Sequence, residues 1–163
     1  MNISNKLPVH KYDYDIDGIS SSKEPDKIIE EIQKVYQSRL GQAKFREGLL
    51  NAYNKCCAIS GCDIEQTLEA AHIIPHCIKK NNNVTNGLLL RADLHTLFDL
   101  NLIKINPEDY IIHLDSSLRS SKIYADFQGK KLDLPKYKHL YPSYDSLKWR
   151  YEHYHKYAPN SSL

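Results

Sequence analysis

The stretch LEAAHIIPHCIKKNNNVTNGLLLRADLHTLFD, residues 68–99, decides how this chain is to be read. It sets three polar residues, His72, Asn86 and His95, in apolar surroundings, fourteen and nine residues apart. Its first part belongs to a strand candidate, Thr67–Ile74. Alternate residues of a strand share a face, so His72 points with Ala70 and opposite Ala71 and Ile73. Small alanines beside a histidine leave the imidazole accessible to something as bulky as a phosphodiester. The plainer role for a lone histidine in an apolar strand is a hydrogen-bonded core residue. The segment His76–Thr85, with Lys79, Lys80 and three successive asparagines, reads as an exposed loop. Asn86-Gly87 closes it. Asn-Gly is a strong turn signal, and the Asn86 amide also suits an orienter that fixes the loop and holds an imidazole in one tautomer. Ala92–Leu100 places Leu94, Leu97 and Phe98 at helical spacing. On that short helix His95 and Asp99 are four residues apart and share a face, as either a metal-binding pair or a plain hydrogen bond requires.

Upstream, Cys57–Ile59 is a short strand candidate, followed by turn chemistry in Ser60-Gly61-Cys62-Asp63 and then Thr67–Ile74, which together predict a hairpin. Two helices are expected before it. Ile28, Ile29, Ile32, Val35 and Tyr36 recur at helical spacing after Pro25 and Asp26, Gly41 interrupts the run, and Phe45, Leu49, Leu50 and Tyr53 give a second helix at about 42–54 an apolar face. Downstream, Leu102–Ile105 and Tyr110–Leu114 flank the turn residues Asn106-Pro107-Glu108-Asp109 as strand, turn, strand. A final helix is expected from about Ser143 to Tyr157. Residues 1–24, polar and without a sustained period, read as an extended arm.

At 163 residues, with 41% hydrophobic and 26% charged, the composition fits one compact domain with a modest core. The net charge of +2 does not announce a nucleic-acid binder, but residues 119–163 carry nine Lys/Arg against four Asp/Glu, interleaved with Tyr124, Tyr137, Tyr141, Tyr144, Trp149, Tyr151, Tyr154 and Tyr157. Cations among aromatics suit a phosphate backbone, and equally a solvated helix that covers the core. No apolar stretch is long enough to cross a bilayer and the start has no apolar signal region, so a soluble, cytoplasmic protein is expected, with Cys56, Cys57, Cys62 and Cys77 as reduced thiols or metal ligands.

The order strand with His, loop, Asn-Gly, helix with His-x3-Asp resembles the HNH nuclease family. The wording CAISG, LEAAHIIP, NGLLLRADLHTLFD and LIKI is similar to that of bacterial HNH endonucleases associated with restriction-type defence. The resemblance runs across about residues 42–114 and extends more weakly through LDLP, YPS and LKWRYE in the tail. It implies an α+β fold with a ββα-metal (His-Me finger) core at about residues 56–100, N-terminal helices, a further β-hairpin and a C-terminal helix, all within a single domain spanning 25–163.

The resemblance also assigns roles. His72 matches the general base, Asn86 the middle Asn and His95 a metal ligand, while Asp99 falls where some members place another ligand. Ala71 departs from the pattern, because many members carry a metal ligand immediately before the base. The ion would then be held by His95 and Asp99 with waters and phosphate, or with Glu69, which shares Ala71's face. Mg²⁺ is the first expectation for this one divalent cofactor, and Mn²⁺, Zn²⁺ or Ni²⁺ would suit the same donors. A structural zinc is not expected, since Cys57-x4-Cys62 has no partner pair near the helix. Arg91, Lys79 and Lys80 are candidates for phosphate contact, Arg91 being equally readable as a surface residue. The implied activity is metal-dependent hydrolysis of DNA. The rivals are a non-catalytic nucleic-acid-binding module on a degenerate HNH scaffold, and an interaction domain whose polar trio pins a loop. A homodimer would let one site per subunit cut each strand, although the sequence carries no dimer signature.

Overall fold

The computed structural model describes residues 25–156, and the expected arm over residues 1–24 lies outside the described residues. The chain divides into two units, residues up to Ser38 and residues from Arg39 onward. Helix α1, Pro25–Ala52, opens the described chain. In the first unit it carries an ion pair one turn apart, Lys34 Nζ to Glu30 Oε1 at 2.6 Å, and Ile29, Ile32, Val35 and Tyr36 are exposed.

Two helices were expected here, but α1 runs through Gly41 without a break. A glycine inside a helix costs about 1 kcal/mol relative to alanine, so its presence calls for a packing reason. A Cβ built at Gly41 would stand 2.7 Å from Asn82 Nδ2, and one at Gly48 would stand 2.7 Å from Val84 Cγ2. The two glycines lie seven residues apart on one face, where the 81–86 loop comes close. α1 ends at a left-handed turn through Asn54 and Lys55 (φ 50° and 57°), with the Lys55 N–H donating to the Leu50 carbonyl at 2.8 Å.

The second unit is built on an antiparallel pair, β1 (Leu68–His72) and β2 (Gly87–Arg91), registered Leu68 to Arg91 and His72 to Gly87. The expected hairpin between Cys57–Ile59 and Thr67–Ile74 is therefore corrected: β1 pairs instead with the GLLLR run. Leu88, Leu89 and Leu90 are all fully buried. A run buried on both faces shows no alternation and hides from period-based reading. Each such leucine contributes roughly 1.5–3 kcal/mol by its burial. That segment is not a strand. Its Ala58 N–H donates to the Leu89 carbonyl at 2.8 Å, on the edge of β2 away from β1.

Helix α2, Ala92–Asp99, follows β2 directly and packs across both strands with Leu94 and Phe98 buried. It stops at Asn101 (φ 60°). A second antiparallel pair, β3 (Ile103–Ile105) with β4 (Ile112–Leu114), matches the expected strand, turn, strand. After a series of short 3₁₀ turns, helix α3, Tyr144–His153, is capped by Ser143 Oγ accepting from the Ser146 N–H. It buries Leu147 and Arg150. The fold is α+β, with small antiparallel sheets and helices before and after them. No helix among the described residues is long and apolar enough to cross a membrane.

Candidate active site

His72 is the last residue of β1, opposite Gly87. Its ring lies on that of Phe45 from α1, centroids 4.1 Å apart and planes 16° apart. Gly87 makes this possible: a Cβ there would stand 2.5 Å from Phe45 Cζ and 2.8 Å from Leu49 Cδ1. Gly87 is extended, φ −142°, so its glycine answers a close approach and not the turn read from Asn-Gly. The His72 Nε2 sits 2.9 Å from Asn82 Oδ1, and the His76 ring is 5.6 Å away. Burial pushes the His72 pKa below its ordinary value. Its bond to Asn82 and the carboxylate of Asp99 act the other way, while His76 and His95 add to the lowering.

Asn86 is fully buried, and its side chain contacts backbone. Oδ1 accepts from the Ile74 N–H at 3.0 Å, and Nδ2 donates to the carbonyls of Ile74 and Asn81, each at 3.1 Å. The Ile73 N–H donates to the Asn86 carbonyl at 2.8 Å. Asn86 thereby closes the loop that leaves β1 and returns to β2, with three of its four amide valences used. The imidazole's amide partner is Asn82.

His95 projects from α2 between two carboxylates. Its Nδ1 is 2.7 Å from Glu69 Oε2 and its Nε2 is 3.2 Å from Asp99 Oδ2. Burial alone would lower its pKa, but Asp99 and Glu69 outweigh it and the net shift is upward. The two carboxylates address opposite ring nitrogens, and among the described residues no three His, Cys, Asp or Glu side chains form a common ligand group. One imidazole nitrogen with one carboxylate is nevertheless an oxygen-and-nitrogen corner of the kind a hydrated divalent cation accepts. Of the two carboxylates, Asp99 and not Glu69 is among the groups that act on the His72 pKa. Glu69 then fixes the ring from Nδ1. Ala71 is fully buried in the core.

Arg150 of α3, which the sequence presented only as part of a basic tail, ties these pieces together. It is 4% exposed. Nη1 donates to the Ile73 carbonyl at 2.9 Å and Nη2 to the Phe98 carbonyl, and the guanidinium lies between the rings of Phe98 and Tyr154. Nη2 is also 3.6 Å from Asp99 Oδ1, and the Tyr154 hydroxyl donates to the Asp99 carbonyl at 3.1 Å. Burial lowers the Arg150 pKa to about 10, which leaves it charged at neutral pH.

The other sequence candidates fall as follows. The Arg91 fork is engaged by Asp93, Nε to Oδ1 at 2.6 Å and Nη2 to Oδ2 at 2.8 Å, and the Tyr124 hydroxyl donates to the same carboxylate at 2.9 Å. Held by Arg91, the Asp93 carboxyl has its pKa lowered to about 2. Lys79 and Lys80 are exposed on the β1–β2 loop. Cys57 is buried and its Sγ accepts the backbone N–H groups of Ser60 and Arg91. In the tail, Lys130, Lys136 and Lys148 lie over the rings of Phe127, Tyr137 and Tyr144. Phe45, Asn82 and Arg150 were missed by sequence reading, since nothing in their local pattern announces a contact made across the fold.

No curated protein matches the chain. Residues 57–106 match the family model described as HNH endonuclease, less than a third of the 163 residues and without α1 or α3. The region that carries His72 at the end of β1, Asn86 in the turn before β2, and His95 and Asp99 on α2 is thus similar to the HNH endonuclease family, whose members are generally nucleases.

Proposed function

We propose that the chain is a metal-dependent endonuclease that hydrolyses phosphodiester bonds of DNA, in a bacterial restriction or defence role. The observation that carries this reading is the pairing of two histidines of opposite character within one strand-pair-and-helix unit: His72 with its pKa lowered, His95 set between carboxylates.

His72 is neutral at pH 7 and takes a proton from a water molecule, a step worth typically about 10²–10⁴-fold. The oxygen of that water attacks phosphorus in line, the P–O3′ bond breaks, and the products are a 5′-phosphate and a 3′-hydroxyl that gains its proton from solvent. Asn86 holds the loop behind the base, and Phe45 sets the plane of its ring. His95 and Asp99 would hold the divalent ion, Mg²⁺ first, with Glu69 orienting His95. When bound, that ion supplies positive charge to the pentacovalent phosphorus and the departing oxygen. Lys79, Lys80 and the cation–aromatic pairs of the tail supply phosphate contacts, which makes binding fall as salt rises.

The test is purified protein incubated with supercoiled plasmid and Mg²⁺ or Mn²⁺. Nicked and then linear DNA with 5′-phosphate ends is expected, and EDTA should stop the reaction. If no plasmid is nicked with either ion, the enzyme reading fails.

A further inference from the structure

The three successive asparagines of the β1–β2 loop do different things. Asn81 Oδ1 accepts from the Asn83 N–H at 3.0 Å, and Asn83 Oδ1 accepts from the Thr85 N–H at 3.2 Å, so both shape the loop itself. Asn82, half-buried, leaves the loop and meets the His72 ring, Oδ1 to Nε2 at 2.9 Å. An amide oxygen only accepts, so Nε2 carries a hydrogen, and in the neutral ring the lone pair lies on Nδ1.

Stacking on Phe45 cannot make that choice. A half-turn of the imidazole about Cβ–Cγ exchanges Nδ1 with Cδ2 and Nε2 with Cε1, leaves the ring in the same plane, and costs the stack nothing. Terminal torsions of this kind are broad and roughly two-fold. The hydrogen bond to Asn82 distinguishes the two orientations and the stack does not. Asn86 does not distinguish them either, because its amide is taken up by the backbone of Ile74 and Asn81. The remaining charged or titratable groups around His72 are His76, His95 and Asp99, with Arg150 Nη1 at 3.5 Å from the His72 carbonyl.

A second, independent observation comes from α1. The Asn82 amide occupies the space above Gly41, where a Cβ would stand 2.7 Å from Nδ2. The helix therefore omits a side chain at the position where this amide comes to rest.

We propose that Asn82 is the positioning residue of His72: it holds the imidazole as the Nε2–H tautomer with Nδ1 as the proton-accepting nitrogen, and Gly41 is glycine to leave room for its amide. This rests on the reading of His72 as the base. It places a determinant of the site outside the His-Asn-His trio, and a second one on a helix that lies outside the family match.

Two measurements test it. Ring nitrogen NMR of the whole protein above the His72 pKa should show a protonated Nε2 and an unprotonated Nδ1, and Asn82→Ala should lose this single tautomer. In plasmid cleavage Asn82→Ala should lower kcat by about 10–100-fold with KM unchanged, the usual scale for an orienting partner. Asn82→Asp, which keeps an acceptor and adds charge, should recover part of that rate at high pH and move the acid limb of the rate profile upward. Gly41→Ala should lower kcat while the melting temperature stays level or rises, because alanine is the better helix former. A merely structural role would move rate and melting temperature down together. An Nδ1–H tautomer in the unsubstituted protein, or an Asn82→Ala variant that keeps both tautomer and rate, overturns the proposal. A Gly41→Ala variant with unchanged kcat removes the part assigned to Gly41. If the tautomer behaves as stated and no variant or parent protein cuts DNA, the role of Asn82 stands and the nuclease reading fails.

Discussion

His72 and His95 stand on adjoining elements of one small unit, and their surroundings drive them in opposite directions. His72 lies flat on an uncharged ring with an uncharged amide at Nε2, so burial dominates and holds its pKa below the ordinary value. His95 is buried as well, but a carboxylate faces each of its nitrogens, and together they reverse the sign of the shift. A proton acceptor has to be neutral at working pH, while a cation site needs negative charge around it. The residue type is shared, and the neighbours assign the job.

The largest effect that could break this contrast is on cleavage. His72→Ala and His95→Ala should both lower the rate by about 10²–10⁴-fold, yet only His95→Ala should abolish binding of Mn²⁺ measured by calorimetry. Equal loss of metal binding in both would erase the division of labour. The same contrast fixes the pH dependence. The base must be unprotonated, so the rate falls as pH drops through the His72 pKa, and that fall comes at a lower pH than 6.5, the value for an ordinary histidine.

Arg150→Met probes what joins the two halves. It strands the carbonyls of Ile73 and Phe98 and removes the charge beside Asp99, so a loss of about 3 kcal/mol in chemical denaturation is expected. A loss below roughly 1 kcal/mol would show that α3 is not what holds β1 to α2. The contrast within the His95 site is smaller. Asp99→Asn should weaken Mn²⁺ binding more than Glu69→Gln does, because Glu69 acts on the ring and not on the ion; the reverse order would exchange their roles.

The smallest effect concerns Asp93, whose folded pKa is lowered from 3.8 to about 2 by Arg91. Its contribution is present above the unfolded value and is lost as pH falls through about 2. The carboxylate is about one-third exposed, so solvent screens it and the effect is modest. In melting temperatures between about pH 4 and pH 2, Asp93→Asn should flatten the acid fall relative to the parent protein; parallel curves would dismiss the pair as a source of stability.

Different parts of this fold were legible in the sequence to different degrees, and the reasons are physical. The short α2 and the β3–β4 pair each bury one face, so their apolar residues recur with a readable period. β2 buries both faces, and its Leu88–Leu90 run has no period at all, so nothing local marks it as the partner of β1. Gly41 looked like a break because local propensity counts only its cost, while the gain, room for Asn82, comes from a segment forty-one residues away. The helical spacing of His95 and Asp99 was legible because four residues make about one turn, and the two meet in the fold as expected.

The sequence by itself determined the likeness of the central region to HNH endonucleases and the residues that can do chemistry there, since those depend on residue type and on spacing along a strand, a loop and a helix. Only the tertiary structure decided which amide meets the base, which carboxylate meets which nitrogen of His95, and that an arginine from the last helix secures both strand and helix. These contacts join residues 10, 26 and 77 positions apart in the chain. Distances of that kind are set by packing, which no local pattern encodes.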